Sequence, residues 1–181
     1  MTRVERVTTD EGLADGFDVR RDVFIEEQGV SEAEEMDGRD DEAAQFVAYD
    51  DDYPVGTARV REPDDGVGKV ERVAVREQYR RRGVGKAIMQ RVESWANDHG
   101  LERLKLHAQT HVEAFYADLG YETTSGVFEE ANIDHVAMEK PLQDDGKSLR
   151  DDGESVRDDE SPRDDESASE DGADESDSDP V

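Results

Sequence analysis

Residues 73–86 read Val-Ala-Val-Arg-Glu-Gln-Tyr-Arg-Arg-Arg-Gly-Val-Gly-Lys, which predicts the end of an apolar strand, a basic turn and the start of a helix. Gly83 and Gly85 carry no Cβ, so the main chain can approach a ligand closely. The basic side chains of this turn are those of Arg80, Arg81, Arg82 and Lys86. Because a helix N-terminus favours anions, the pattern predicts a pyrophosphate-binding loop. A solvated turn that balances nearby glutamates is the alternative.

Two common nucleotide-binding motifs do not fit this loop. A Walker loop requires Ser or Thr after the lysine, whereas Ala87 follows Lys86. The dinucleotide fingerprint of three spaced glycines is also missing. The loop is therefore neither of these nucleotide sites.

The flanking sequence alternates between strand and helix periodicity, which predicts a mixed α/β domain. The longest predicted helix covers residues 84–97 and ends before Gly100. Two further helices are predicted over residues 16–28 and 111–119. Strands are predicted over residues 3–8, 44–49, 55–60, 69–75, 103–108 and 135–138, with an acidic, irregular segment at 29–42.

Net charge and composition exclude several classes of protein. The formal net charge of −28 repels nucleic acids and acidic membranes, so neither is an expected partner. The absence of cysteine excludes disulfides, thiolate metal sites and a cysteine nucleophile, and the four scattered histidines imply no metal site. No apolar run approaches membrane-spanning length and no leader is evident, so we expect a cytoplasmic protein. The acidity and the scarcity of lysine favour a halophilic organism.

The composition changes at residue 144. Residues 144–181 contain 17 acidic and 4 basic residues and no aromatic residue. Such a segment buries too little apolar surface to offset the conformational entropy lost on ordering. The composition therefore predicts one domain over residues 1–143 and a disordered acidic tail over 144–181. The tail is either a solubilising segment for high salt or a docking arm for a basic partner.

An ordered series of motifs resembles the GNAT N-acetyltransferases, and within them the ElaA-like branch. The cofactor motif of that family is Gln or Arg, two residues, Gly, one residue, and Gly or Ala; Arg80, Gly83 and Gly85 fill it. Further similar segments are residues 19–28, 71–75, 107–109, 115–116, 119–121 and 128–135.

The resemblance implies a GNAT-type fold: a mixed, mostly antiparallel sheet with splayed central strands, flanked by helices. It also implies acetyl-CoA as co-substrate, with its pantetheine arm lying between the splayed strands. The implied cofactor-binding residues are Val73, Ala74, Val75, Arg80, Arg81, Arg82, Gly83, Val84, Gly85, Lys86, Gln109 and Tyr116.

The resemblance also suggests which residues move protons. Tyr116 is the expected acid for the departing thiolate, and the alternative is a ring that only packs in the core. A base is also needed, for which Glu71, Glu27, His107 and His135 are candidates. We expect Glu71 to share a face of its strand with Val73 and Val75, whereas His135 suits a structural hydrogen bond to the main chain.

The function implied is transfer of an acetyl group from acetyl-CoA to a primary amine, by direct attack within a ternary complex. We expect a small-molecule acceptor, and the acidic residues 26–42 favour a cationic one. The alternative is a non-catalytic acyl-CoA sensor or interaction module. The oligomeric state stays open between a monomer and a homodimer.

Overall fold

The structure is a computed structural model and describes residues 1–142. Its strands are β1 Thr2–Val7, β2 Ala44–Asp50, β3 Tyr53–Asp64, β4 Val67–Val75, β5 Arg103–Gln109, β6 Glu122–Thr123, β7 Phe128–Glu130 and β8 Ile133–Pro141. Its α-helices are α1 Asp10–Arg20, α2 Glu32–Glu35, α3 Val84–Asp98 and α4 Glu113–Asp118. A π-helical segment, Arg21–Glu27, continues α1, and 3-10 turns lie at Asp40–Glu42, Glu77–Tyr79 and Thr110–Val112. The predicted tail, residues 144–181, lies outside the described residues.

All eight strands form one sheet in the order β1-β2-β3-β4-β5-β8-β6, and β7 also pairs with β8. Every pairing is antiparallel except that of β4 with β5, which is parallel. The predicted mixed, mostly antiparallel sheet is therefore confirmed. No helix within residues 1–142 is long and apolar enough to cross a membrane.

Helix α1 packs on one face of the sheet and begins earlier than the sequence predicted. The prediction placed its start at residue 16, but Thr9 caps the helix by accepting a hydrogen bond from the N–H of Gly12 at 3.1 Å. A Cβ at Gly12 would lie 2.7 Å from Cβ of Val7, so glycine permits the close approach to β1. Glycines and acids in the first turns hid the helical periodicity.

Helix α3 packs on the opposite face and supplies much of the main core. Its buried apolar residues, which include Ile88, Met89 and Val92, lie against Phe46 of β2 and the central strands. The helix spans nearly the predicted residues, and Gly100 follows it with φ 81°. Helical spacing of the apolar residues thus predicted this element correctly.

Strands β4 and β5 separate partway along their length. Val67 to Val70 pair with Arg103 to Leu106, and the pairing stops there. On the other edge of β4, a β-bulge places Arg72 and Val73 opposite the single residue Ala58. Arg72 has φ 56°, a left-handed conformation that a non-glycine residue seldom adopts.

The bulge corrects one expectation about Glu71. Since Glu71 pairs with Arg59 and Ala74 pairs with Thr57, both lie on the α1 face. Val73 and Val75 instead belong to the main core on the α3 face. The expectation that Glu71 shares their face was wrong because the inserted residue breaks the alternation of the strand.

A buried ionic cluster joins the acidic segment 31–42 to the sheet. Its cations are Arg20, Arg59, Arg61, Lys69 and Arg72, and its anions are Glu35, Asp37, Asp40 and Glu71. Arg59 is fully buried and donates from Nε to Glu71 at 2.8 Å and from its terminal nitrogen to Asp37 at 2.9 Å. The acids of this irregular segment are thus structural partners of buried arginines.

Arg72 connects this cluster to the bulge. Its guanidinium is buried and donates to the main-chain carbonyls of Glu34 and Glu35 at 3.3 and 3.1 Å. It also lies 3.4 Å from the carboxylate of Asp37. These contacts offset the backbone strain at Arg72, which typically costs about 1–3 kcal/mol.

The carboxyl groups of the cluster are held in their charged form. Burial acts to raise the pKa of Glu71, but hydrogen bonds from Arg61 and the charges of Arg59 and Lys69 outweigh it and lower the pKa to about 2. At Asp37, burial is likewise outweighed by the hydrogen bond and charge of Arg59, so its pKa falls well below the usual range.

Replacement of Glu71 by Gln is expected to lower the free energy of unfolding by about 3–5 kcal/mol, because it leaves buried cations uncompensated. Urea denaturation at fixed KCl concentration measures this change. Glu62→Gln is the matched control: Glu62 is exposed and forms an ion pair with His99 at the surface, so its loss should cost less than about 1 kcal/mol. Equal effects of the two substitutions would contradict the structural role of the cluster.

The same cluster predicts how stability depends on pH. A carboxyl group whose pKa is lowered by folding stabilises the protein above its unfolded pKa, and this contribution is lost as the pH falls towards the folded value. For Glu71 this window runs from its ordinary value of 4.5 down to about 2. Urea midpoints of the wild type should therefore fall steeply between these pH values, and Glu71→Gln should show a shallower fall. Parallel curves would contradict the assignment.

Candidate active site

The basic turn before α3 leaves the first turn of that helix open to an anion. Gly83 is the N-cap residue with φ 81°, and no side chain caps the helix. The first turn contains no acidic residue, and within residues 1–142 no heavy atom beyond Gly83 and its two chain neighbours lies within 4 Å of the position that a Cβ on Gly83 would occupy. The first N–H groups of an α-helix have no partner within the helix. In α3 these groups therefore face accessible space.

Three of the four predicted cations surround this helix terminus as exposed side chains. They are Arg81, Arg82 and Lys86. The guanidinium of Arg82 lies 5.5 Å from the centre of the Tyr79 ring, which supports it from one side. The turn therefore presents positive charge to solvent in a strongly acidic protein.

Arg80 is placed differently. Its Nε donates to the carbonyl of Val75 at 2.9 Å, and its terminal nitrogen donates to Glu27 at 2.8 Å. The side chain thus ties the end of β4 to the π-helical segment. The Arg80 guanidinium, predicted to bind phosphate, is thus occupied by contacts within the protein, and Glu27 is paired with a cation.

The other predicted cofactor residues line the region where β4 and β5 separate. Val73, Val75 and Ala108 lie on the α3 face of the sheet, in the same core as Tyr116. Ala74 points to the α1 face and packs with Val19, Val23 and Phe24. The structure therefore places Val73, Val75 and Tyr116 in one core on the α3 face, and Ala74 on the opposite face.

Tyr116 belongs to α4 and is fully buried. Its ring packs edge-on against Phe115 and Tyr121, with centroid distances of 5.0 and 5.8 Å. These contacts fix the orientation of the ring within the main core.

Gln109 lies on the α1 face instead. It is buried, and its amide donates to Gln28 at 3.2 Å. This contact joins the end of β5 to the end of the π-helical segment, so the side chain of Gln109 positions the α1 side of the gap.

The four candidate bases differ in their surroundings. Glu71 is fully buried among cations, and a carboxylate whose pKa is about 2 accepts protons poorly. His135 is fully buried and its Nδ1 donates to the carbonyl of Ile133 at 2.7 Å, the structural hydrogen bond that the sequence suggested. His107 is partly exposed and its Nδ1 lies 2.7 Å from Glu130.

Glu130 is a residue of the site that the sequence analysis did not select as a functional candidate. It lies in the short strand β7, which turns into β8 through Ala131 and Asn132, both with positive φ. The asparagine is a recognised signal for such a hairpin turn. With three residues, however, β7 has no periodicity that a sequence reading could detect.

Comparisons with known proteins agree with this architecture. A sequence profile of the Acetyltransferase (GNAT) domain family matches residues 6–142. The chain is 42% identical over 132 residues to the uncharacterized N-acetyltransferase YjcF of Bacillus subtilis, covering 72% of this chain and 94% of YjcF.

Solved structures show the same fold. The crystal structure of Escherichia coli ElaA superposes with a TM-score of 0.70 at 25% identity, covering 77% of this chain and 99% of ElaA. An aminoglycoside 6'-N-acetyltransferase complexed with coenzyme A shares the fold at 14% identity, with a TM-score of 0.65 and coverage of 78% and 97%. The chain therefore belongs to the GNAT family of acetyltransferases, with ElaA among its homologues, as its sequence motifs indicated.

Proposed function

We propose that this protein transfers an acetyl group from acetyl-CoA to a primary amine of a small acceptor, by direct attack within a ternary complex. The observation that carries the proposal is the uncapped N-terminus of α3, flanked by exposed cations, at the end of the gap between β4 and β5. A pyrophosphate at the helix terminus would direct the rest of the cofactor along this gap.

The residues present fit coenzyme A. Main-chain N–H groups at the start of α3 would hold its phosphates, with Arg81, Arg82 and Lys86 supplying charge. Main-chain groups of β4 near Val73 and Val75 would hold the pantetheine arm, because β5 no longer pairs with the strand there. The fold-sharing enzyme complexed with coenzyme A supports the same ligand for this chain.

When bound, acetyl-CoA supplies an acetyl group activated as a thioester. The protein's part is to hold the acceptor beside it, and such proximity is worth up to about 7–11 kcal/mol in favourable cases. Main-chain N–H groups near Val73 would stabilise negative charge on the acetyl oxygen. Tyr116, held by its aromatic neighbours on the α3 face, would donate a proton to the leaving sulfur.

Removal of two turn cations tests the phosphate site. The double substitution Arg82→Gln with Lys86→Gln should weaken coenzyme A binding at least about tenfold, since charge-assisted hydrogen bonds are worth about 1.5–3 kcal/mol each. Isothermal titration calorimetry at fixed KCl concentration measures the affinity.

The control for this test is Arg103→Gln, which removes an exposed cation from the first residue of β5. It should leave the affinity unchanged, because it lies at the opposite end of the strand from the gap. Failure of the wild type to bind coenzyme A, or equal affinities of all three proteins, would contradict the proposed site.

Tyr116→Phe tests the proton donor. The substitution should lower kcat about 100-fold while leaving the KM for acetyl-CoA within about threefold, because only the proton on the leaving sulfur is lost. Release of free thiol with a panel of amines, putrescine, glucosamine and lysine, measures both constants.

Tyr121→Phe is the matched control for Tyr116→Phe. Tyr121 is also a buried tyrosine, in ring contact with Tyr116, and burial followed by the charge of Glu93 raises its pKa well above the usual range. Its loss should change kcat less than threefold. Tight coenzyme A binding without thiol release from the wild type would support the acyl-CoA sensor instead of the enzyme.

A further inference from the structure

A histidine and a glutamate meet where β4 and β5 separate. Leu106 is the last residue of β5 that pairs with β4, so His107 is the first beyond the separation. Its Nδ1 lies 2.7 Å from Oε1 of Glu130 in β7. The ring of Phe128 packs edge-on against the imidazole, with centroids 5.0 Å apart. Two contacts from β7 therefore fix the orientation of this imidazole.

His107 lies on the face of the sheet opposite to Tyr116. Leu106 and Ala108, its neighbours along β5, belong to the core on the α3 face together with Tyr116. Since successive side chains of a strand alternate, His107 projects to the α1 face. Gln109 projects there too and contacts Gln28 at the end of the π-helical segment. One side of the gap thus has the tyrosine and the other has the histidine.

We infer that His107, oriented by Glu130, is the general base that accepts a proton from the amine acceptor. This inference rests on the proposed acetyl transfer and assigns the step that the proposed function leaves open. The carboxylate of Glu130 accepts the hydrogen bond from Nδ1–H, so the neutral imidazole carries its lone pair on Nε2. Among the described residues, Nε2 of His107 has no hydrogen-bond partner, and the side chain is 25% exposed.

The other three candidate bases lack these properties. The carboxylate of Glu71 is compensated by arginine and lysine, and Glu27 pairs with Arg80. His135 has a similarly oriented ring, but it is fully buried behind Phe128, whose ring stacks on it at 6.1 Å. His107 therefore combines an oriented ring with access to solvent.

The proton balance fits a primary amine that arrives as an ammonium ion. Nε2 of His107 takes one proton from the ammonium group. The lone pair of the amine nitrogen then forms the bond to the acetyl carbon while the carbon–sulfur bond breaks. Tyr116 gives its proton to the sulfur and regains one from the new amide nitrogen. His107 then releases its proton to water, so one proton is produced for each acetyl group transferred.

The charged groups near His107 come from three strands. Glu130 faces it from β7, and Lys105 lies two residues earlier on the same face of β5. His135 of β8 lies beyond the Phe128 ring, and the register partner of His107 in β8, Ala137, is uncharged. Glu130 is thus the charge in direct contact with the imidazole.

The first test is the pH dependence of kcat/KM with putrescine, glucosamine and lysine as acceptors. His107→Gln should lower kcat/KM about 100-fold and remove its rise with increasing pH, since general bases typically contribute 10²–10⁴-fold. Glu130→Gln, which keeps the imidazole, should cost about tenfold. The KM for acetyl-CoA should stay within threefold in both variants.

The matched control is His99→Gln. His99 ends α3 and its Nε2 lies 2.8 Å from Glu62, so it forms a similar pair at the opposite end of the helix from the basic turn. This variant should keep kcat/KM within twofold and the pH dependence of the wild type.

The second test is independent of turnover and reads the tautomer of His107. A long-range proton–nitrogen spectrum of the free protein, assigned with His107→Gln, should show that the neutral form of His107 has Nδ1 protonated and Nε2 bare. Glu130→Gln should reduce this preference, because the carboxylate that accepts from Nδ1–H is gone.

The results separate the two proposals. A wild type that acetylates none of the amines contradicts the proposed function, and with it the assignment of His107 as the general base. If the wild type is active, a His107→Gln variant with unchanged rate or unchanged pH dependence overturns only the base. A neutral imidazole that carries its proton on Nε2 overturns it as well, because its lone pair would then lie on Nδ1, which faces Glu130.

Discussion

The buried ion pairs between segment 31–42 and the arginines of β3 and β4 are the constraint on which the site depends. Arg72 adopts a left-handed conformation within a strand, and its side chain is anchored by the carbonyls of Glu34 and Glu35. Because Arg72 forms the bulge, that anchor fixes how the following residues of β4 are presented to the gap. The buried ion pairs, which lie away from the gap between β4 and β5, thereby set the geometry of that gap.

The bulge also explains why the two faces of the gap differ in chemistry. It turns Val73 and Val75 towards the α3 face and leaves Ala74 and Glu71 on the α1 face. Val73, Val75 and Tyr116 pack in the main core on the α3 face, whereas Glu71, His107 and Gln109 lie on the α1 face. A reaction that takes a proton from one reactant and gives one to another gains from such a separation. The group that accepts a proton and the group that donates one then do not exchange the proton directly with each other.

The parts of this structure that depend on local sequence were predictable. Helix α3, the basic turn before it and the central strand β4 follow from periodicity and glycine placement within about thirty residues. The orientation of Glu71 was not predictable, because it depends on a bulge that is stabilised by residues 34–37. Nor could Glu130 be matched with His107, since a three-residue strand and its turn bring them together across 23 positions. Local patterns therefore located the basic turn before α3, while the pairing of His107 with Glu130 required the tertiary structure.

The acidity of the chain and the proposed binding of an anion at the basic turn are compatible because they act over different ranges. A net charge of −28 repels a phosphate ligand over a distance set by the Debye length, which is about 10 Å at 0.1 M salt and about 3 Å at 1 M. Hydrogen bonds from the main chain of α3 act at about 3 Å and are screened far less. Concentrated salt therefore removes most of the repulsion but leaves the contacts in place. For this reason, three exposed cations at one helix terminus can suffice in so acidic a protein.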